Sequence, residues 1–213
     1  MLRHMMEWNP MLKLGVVSIP FSMDYLGQMY LFSIASFILT LFIVYMSMIL
    51  IRILSRGETS IENSFQNVFV GFMARSVEGW PVFFKICLPG VVGGILWLIF
   101  APIIEVMEVL PDQSWSAVFK ECIVLGLASY LPWGGLVMIL LGIHIITCKF
   151  RLGTSSIWSY LDYINAKLIK PLSYLQLQIF KYDFTALVEL PIVYLICVYY
   201  RDFLTGLFAK AMF

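Results

Sequence analysis

The chain has 213 residues, of which 61% are hydrophobic and only 13% are charged, and its mean hydropathy is +0.90. Soluble domains carry about 25% charged residues, so this composition excludes an ordinary water-soluble protein and indicates an integral membrane protein in contact with a lipid bilayer. The net charge of +1 gives no reason to expect nucleic acid as a partner. The four cysteines lie in or beside apolar segments without C-x-x-C spacing, which favours packing roles over disulfides or a metal site.

Residues 1–28 precede the first long apolar run and are rich in methionine and aromatic residues. They lack the continuous apolar core of a cleavable signal peptide, and no A-x-A-like site follows the run that begins at Met29. A floppy terminus would leave many apolar side chains in water. We therefore predict an interfacial or partner-docking arm over 1–28.

Four stretches are long and apolar enough to cross a bilayer, which requires about 20 residues per helix. They are 29–53, 80–109, 119–147 and 184–208. Lipid offers no hydrogen-bond partners to the backbone, so all four are predicted to be helices and the fold to be an all-α integral membrane protein. Kinks rather than breaks are expected at the internal prolines, which are Pro89, Pro102, Pro132 and Pro191.

The connections between the first two spans and between the last two resemble each other. Residues 55–77 read SRGETSIENSFQNVFVGFMARSV, and residues 151–173 read RLGTSSIWSYLDYINAKLIKPLS. Placing Gly57 on Gly153 aligns a Ser/Thr pair and then a helical apolar period in both. The pattern predicts a duplication of span, amphipathic segment and span, over 29–110 and 117–213; a chance match between apolar helices is the competing interpretation.

Each copy contains two spans, so both copies share one orientation and are predicted to be parallel repeats, with both amphipathic segments on one side of the bilayer. Lys and Arg residues set that orientation. Eight of them flank the two connections, namely Arg52, Arg56, Arg75, Lys149, Arg151, Lys167, Lys170 and Lys181. Five fall on the other side, namely Arg3, Lys13, Lys120, Arg201 and Lys210. The bias places the amphipathic segments in the cytoplasm and both termini opposite.

The second copy resembles the YggT family of small membrane proteins over roughly 137–200. That family has two copies of a span, an in-plane segment ending at a proline, and an acidic start to the next span. The sequence 168–172, LIKPL, stands where the family has its proline-terminated segment, and 183–188, DFTALV, stands at the acidic helix start. Ala186 replaces the expected proline, and Ser173-Tyr174 replace a basic pair. The resemblance implies scaffold or assembly roles in a bacterial inner membrane or an organelle membrane of bacterial origin.

The residues of this motif also have a direct structural interpretation. Asp183 and Thr185 are good N-terminal capping residues, because a carboxylate or hydroxyl satisfies backbone N–H groups that have no helical partner. Pro171 is predicted to end the in-plane helix and turn the chain into the bilayer. This capping role is preferred to a ligand-binding role for Asp183.

Two ionisable residues, Lys85 and Glu189, lie near the starts of spans two and four. The internal repeat places them at similar depths, and intramembrane charges are candidate functional sites. They are predicted either to form an ion pair between the repeats or to extend separately to the interface.

His144 lies near the end of span three. An interhelical hydrogen bond is favoured there over haem ligation, since no second histidine is placed to face it. Glu105 and Glu108, one turn apart at the end of span two, are interpreted as marking where the helix leaves the membrane rather than as a cation or proton site.

Small residues indicate two candidate faces for close helix contact. Gly90 and Gly94 form a G-x-x-x-G pattern in span two. Ala128, Gly135 and Gly142 recur every seven residues in span three, which is typical of a left-handed helix crossing. We expect one face to pack internally and the other to be free for another protein.

No motif of a hydrolase nucleophile, zinc protease or phosphate loop is present in the sequence, so we predict neither an enzyme nor a bound cofactor. The favoured function is a membrane scaffold, assembly factor or accessory subunit that joins other integral membrane proteins in a hetero-complex rather than a homo-oligomer. The alternative is an oligomeric ion channel or a transporter related to osmotic stress, with Lys85, Glu189, Glu105 or His144 on its pathway.

Overall fold

The computed structural model describes most of the chain, and every structural statement below concerns these residues. They are 11–21, 26–55, 77, 79–106, 114–150, 156–170, 178–179, 182–183 and 185–212. The predicted connection over 55–77 falls almost entirely outside them, as do Pro171 and Glu108.

The described chain is mostly helical, and four of its segments are long and apolar enough to span a membrane, as the sequence predicts. The first is α1, Leu26–Ser55, and the second is α2, Val82–Val106. The third, Trp115–Thr147, contains α3 and most of α4. The last lies within α6, Thr185–Met212. Large apolar side chains are exposed along all four, as expected of helices that face lipid.

The third span is interrupted where a kink is predicted. Helix α3, Trp115–Ala128, ends at a turn over Ser129 and Tyr130, and α4, Leu131–Phe150, follows. Pro132 has no N–H to donate to the carbonyl of Ala128. The backbone of Tyr130 instead donates to the Leu127 carbonyl at 3.2 Å, the three-residue spacing of a tightened turn. The other internal prolines lie within continuous helices.

A β-hairpin occupies the part of the N-terminal arm that the structure describes. Strands β1, Met11–Leu14, and β2, Val17–Pro20, pair antiparallel, and Gly15 takes the positive φ of 64° that the tight turn needs. Leu12 and Ile19 lie opposite each other and are both buried. Residues 11–20 of the arm are therefore folded as a hairpin, which the all-α prediction does not include.

The connection before the last span contains one helix and a second small sheet. Helix α5 is Ser156–Ile169, within the predicted amphipathic segment 151–173. Strands β3, Gln178–Ile179, and β4, Tyr182–Asp183, pair antiparallel. Along α5, Tyr160 and Ile164 are buried whereas Ser159 and Asp162 are exposed.

The chain divides into two compact units, and each of the four spans contributes to both. The first unit comprises Met1–Ile43, Cys87–Tyr130 and Tyr200–Phe213, and the second comprises Val44–Ile86 and Leu131–Tyr199. The division cuts across the spans, so it does not coincide with the predicted repeats at 29–110 and 117–213.

The first unit has an apolar core to which the hairpin contributes. Buried hairpin residues such as Ile19 and Phe21 belong to one cluster with residues of α1, α2 and α3. The Phe21 ring also lies against Phe32 of α1, with centroids 5.6 Å apart. The hairpin therefore forms part of the packed interior of this unit.

Candidate functional site

The candidate site is the polar interior of the second unit, where charged and amide side chains are buried on several helices. Lys85 of α2 is 7% exposed, Glu189 of α6 is 6% exposed, and Asn165 of α5 is fully buried. Burial of such groups in a membrane protein is costly unless they are paired, so they are the natural place to look for function.

Helix α5 holds Asn165 in this interior because its neighbours are anchored on both sides. Tyr160 and Ile164 are buried in a cluster with Leu140 of α4. One turn after Asn165, Ile169 is buried in a second cluster with Leu141 of α4 and Ala186 of α6. Asn165 lies between these anchors, so its side chain is fixed inside the unit.

Neither polar atom of the Asn165 side chain has a hydrogen-bond partner within the described structure. Leaving a buried amide unpaired costs about 1–3 kcal/mol per group. Buried polar groups without partners are rare in folded proteins. Asn165 is therefore the most completely unpaired buried side chain of this unit in the described structure. The sequence alone gives no such signal, because α5 also contains exposed polar residues.

Glu189 lies in the second turn of α6, two residues before Pro191. Its Oε2 atom has no hydrogen-bond partner within the described structure. The predicted Lys85–Glu189 pair remains a hypothesis: both side chains are buried in the same unit, as that hypothesis requires.

Tyr160 lies at the end of this polar interior that is nearest to α1. Burial raises the pKa of its hydroxyl, and the neighbouring Ser55 hydroxyl and Arg52 guanidinium offset part of that rise. Ser55 itself donates to the Arg52 carbonyl at 3.3 Å.

His144 lies on α4 facing α5, where its Nδ1 atom is 3.6 Å from Oδ1 of Asp162. This distance is too long for a hydrogen bond, and the contact is an ion pair only when the imidazole is protonated. The structure therefore brings His144 to a neighbouring helix, and the partner is a carboxylate that the sequence does not single out. The His144 carbonyl also accepts a hydrogen bond from Thr147 at 2.9 Å.

A second buried carboxylate, Glu121, lies in the first unit. It is fully buried on α3, and its Oε2 accepts a hydrogen bond from the Trp97 indole of α2 at 3.2 Å. One residue further, the Cys122 thiol donates to the Gly94 carbonyl at 3.2 Å. Sequence reasoning missed this contact, although an acidic residue inside a predicted span is the signal that identifies it.

Gly90 and Gly94 lie at the closest approach of α2 and α3. A Cβ placed on Gly126 would lie 2.6 Å from the Gly90 carbonyl oxygen, and one on Gly94 would lie 3.0 Å from the Cys122 sulfur. A Cβ placed on Gly93 would overlap the Ser129 side chain. The G-x-x-x-G face is therefore packed within the protein.

Gly135 and Gly142 have the opposite environment. A Cβ added at either glycine would meet no atom within 4 Å. Gly134, beside them, does pack closely against Cys197 of α6. Ala128 is buried and belongs to α3, so the turn at Ser129 and Tyr130 separates it from the other two members of the predicted stripe.

The two predicted capping residues, Asp183 and Thr185, lie in different elements of the structure. Helix α6 begins at Thr185, which is buried. Asp183 is paired with Gln178 in the small sheet, two residues before the helix. Pro171 lies outside the described residues, so its predicted role in ending α5 stays a prediction.

Comparison with protein-family models, with curated proteins and with solved structures gives no match for this chain.

Proposed function

We propose that this protein is a non-enzymatic membrane scaffold, assembly factor or accessory subunit, similar to the YggT family, that binds another integral membrane protein. The open face of α4 carries the proposal. Gly135 and Gly142 are two helical turns apart and therefore lie on one side of the helix, and a Cβ added at either would meet no atom within 4 Å.

Glycines at this spacing let a second helix approach closely in lipid. Helix association inside a bilayer depends on close packing, because lipid tails are as apolar as the side chains and the hydrophobic effect gives no net attraction. The corresponding glycines of α2 and α3 already use such packing within the chain. A partner helix on α4 would use the same contact type between two proteins.

The wider arrangement is part of the same proposal. Two parallel repeats each contribute a segment in the membrane plane on the cytoplasmic side, with both termini opposite. The membrane is a bacterial inner membrane or an organelle membrane of bacterial origin, and the partner forms a hetero-complex. The basic residues around the connections and the likeness of 137–200 to the family support these points.

The test compares two variants during purification from native membranes in mild detergent. Gly135→Leu combined with Gly142→Leu fills the open face, and Gly206→Leu fills an equally open position on α6 as the control. We expect a stoichiometric membrane subunit to co-purify with the wild type and the control and to be lost from the double variant. Equal co-purification from all three proteins would contradict the proposal.

A second candidate is an oligomeric ion channel or transporter, favoured by the buried Lys85, Asn165 and Glu189. A homo-oligomeric particle without other subunits, whose ion flux in liposomes disappears in Glu189→Gln, would support this candidate over the scaffold.

A further inference from the structure

We propose that two copies of this chain associate side by side in the membrane through one face of α6. The face, called the dimer face below, consists of Arg201, Asp202, Thr205 and Ala209. An exposed ion pair between Arg201 and Asp202, at membrane depth, carries the proposal. Self-association goes beyond the hetero-complex proposed above, and it uses a different helix from the open face of α4.

The two charged side chains pair with each other and are otherwise uncovered. The Nε and Nη2 atoms of Arg201 both donate to Oδ1 of Asp202 at 3.3 Å. The side chains are nevertheless 56% and 61% exposed, and neither pairs with any other residue of the described chain. Charged groups within a membrane span almost always face protein or water, because hydrocarbon offers them no partner. A second protein surface is therefore expected against this pair.

The depth of the pair prevents it from reaching the membrane surface. Arg201 lies 16 residues after the start of the last span and nine before its end, about 24 Å and 14 Å at 1.5 Å per residue. The preceding residue, Tyr200, donates its hydroxyl to the Leu127 carbonyl at 2.8 Å, and Leu127 is itself twelve residues inside the third span. A long arginine side chain can extend towards an interface. The short side chain of Asp202 cannot cover such a distance, so its carboxylate stays at membrane depth.

The arrangement of the two charges selects a second copy of the chain as the partner. Copies of one membrane protein share an orientation, so a two-fold axis along the membrane normal places equal residues at equal depth. Adjacent residues of a helix differ in depth by only about 1.5 Å. Arg201 therefore meets the partner's Asp202, and Asp202 meets the partner's Arg201, in two reciprocal ion pairs. A different protein would need both charges in reverse at this depth, whereas a second copy supplies them by symmetry.

The remaining residues of the dimer face are small, which permits close approach. Thr205 is four residues after Arg201 and three after Asp202, so it lies between them on one side of α6, and Ala209 follows one turn later. Both are exposed. The Thr205 hydroxyl already donates to the Arg201 carbonyl at 2.9 Å and needs no further partner. Leu204, on the other side of the helix, is fully buried, so the dimer face points away from the core of its own unit.

The first experiment is disulfide crosslinking of the full-length chain in liposomes after replacement of the four native cysteines. We expect Thr205→Cys to form a covalent dimer on mild oxidation, because the two copies of this position face each other across the axis. Phe203→Cys is the matched control: it is also exposed and lies at nearly the same depth, but it points to the other side of α6. It should remain monomeric under the same conditions.

The second experiment reverses the charges and measures association by energy transfer between donor-labelled and acceptor-labelled chains in liposomes. Arg201→Asp gives two carboxylates at the dimer face, and Asp202→Arg gives two guanidinium groups. Each variant alone should associate at least about tenfold more weakly than the wild type, since it loses both reciprocal pairs. An equal mixture of the two variants should recover association, because each copy then supplies the charge that the other lacks. Lys210→Asp, a reversal at an exposed position on the same helix, should associate like the wild type.

Three results would overturn the proposal. One is equal crosslinking of Thr205→Cys and Phe203→Cys, and another is a mixture of the charge variants that associates no better than either alone. The third is a monomeric wild type in liposomes together with loss of a different membrane subunit from Arg201→Asp, which would assign the face to that subunit. Gly135→Leu with Gly142→Leu should leave the dimer unchanged, which separates this test from that of the scaffold function.

Discussion

Inside a bilayer a buried polar atom has neither water nor lipid as a hydrogen-bond partner, so single residues have large effects. The described chain buries carboxylates in both units, Glu121 with the Trp97 indole beside it and Glu189 with an unpaired oxygen. The two carboxylates therefore differ in whether a donor within the described chain stabilises them. Glu121 accepts a hydrogen bond from Trp97, whereas Glu189 and Asn165 carry polar atoms without a hydrogen-bond partner in the described structure.

Trp97→Phe should destabilise the protein by about 1–3 kcal/mol, because it removes a hydrogen bond to a fully buried carboxylate. Trp115→Phe is the matched control, since Trp115 is 70% exposed. The measurement is the free energy of unfolding in detergent. Equal losses in the two variants would show that the indole hydrogen bond contributes nothing.

Tyr160→Phe should change how stability depends on alkaline pH. Burial raises the pKa of Tyr160 in the folded state, and Ser55 and Arg52 offset this rise only in part. A raised folded pKa gives a contribution that is complete below the unfolded value of about 10 and is lost as pH rises through the folded value. The wild type should therefore lose more stability than the variant above pH about 10. Tyr163→Phe, the same change at a partly exposed tyrosine of the same helix, is measured for comparison.

At the scale of helices, the distance between neighbouring backbones decides which glycines matter. Helices α2 and α3 approach at Gly90 and Gly126 until a single methyl group would reach a carbonyl oxygen. On α4, Gly142 has space around it. The same glycine substitution made at each of these sites therefore tests how closely the neighbouring helix packs, because the change of residue type is identical.

Gly126→Ala should destabilise the protein by about 1–3 kcal/mol, since the added carbon meets the rigid backbone of α2 and forces the helices apart. Gly142→Ala should be neutral or stabilising by up to about 1 kcal/mol, because alanine favours a helix over glycine. Thermal unfolding in detergent compares the two. Destabilisation of both variants to the same extent would contradict the observed difference in packing.

For the whole molecule, the four spans predict the sides on which the connections lie. An even number of crossings returns the chain to its starting side, so residues 11–21 and the end of α6 are predicted to share one side. The connection that contains α5 follows the third span and is therefore predicted to face the other side.

Cysteine labelling can test this topology after replacement of the four native cysteines. Lys13→Cys and Lys210→Cys should react with a membrane-impermeant maleimide from one face of sealed vesicles, and Lys170→Cys should react only from the other. All three positions are exposed. Reaction of Lys170→Cys from the same face as Lys13→Cys would contradict the four-span arrangement.

Apolar runs predict membrane helices well because the requirement is local: each stretch must be long and apolar enough for its own backbone to cross lipid. The four spans follow from this requirement, and the structure confirms them. The hairpin over Met11–Pro20 does not follow, because its stability depends on burial of Leu12 and Ile19 among residues from distant helices. Pro132 predicts a disturbance of the third span, but the extent of the interruption depends on the turn that contains Tyr130.

The sequence by itself determined that this is a membrane protein with four apolar spans, since length and apolarity are properties of consecutive residues. Only the tertiary structure decided which small residues are covered, which carboxylate has an indole donor, and which buried oxygens have no partner. These outcomes depend on residues that are distant in the chain and adjacent in space. For that reason Gly90 and Gly142 look alike in the sequence and differ in the folded protein.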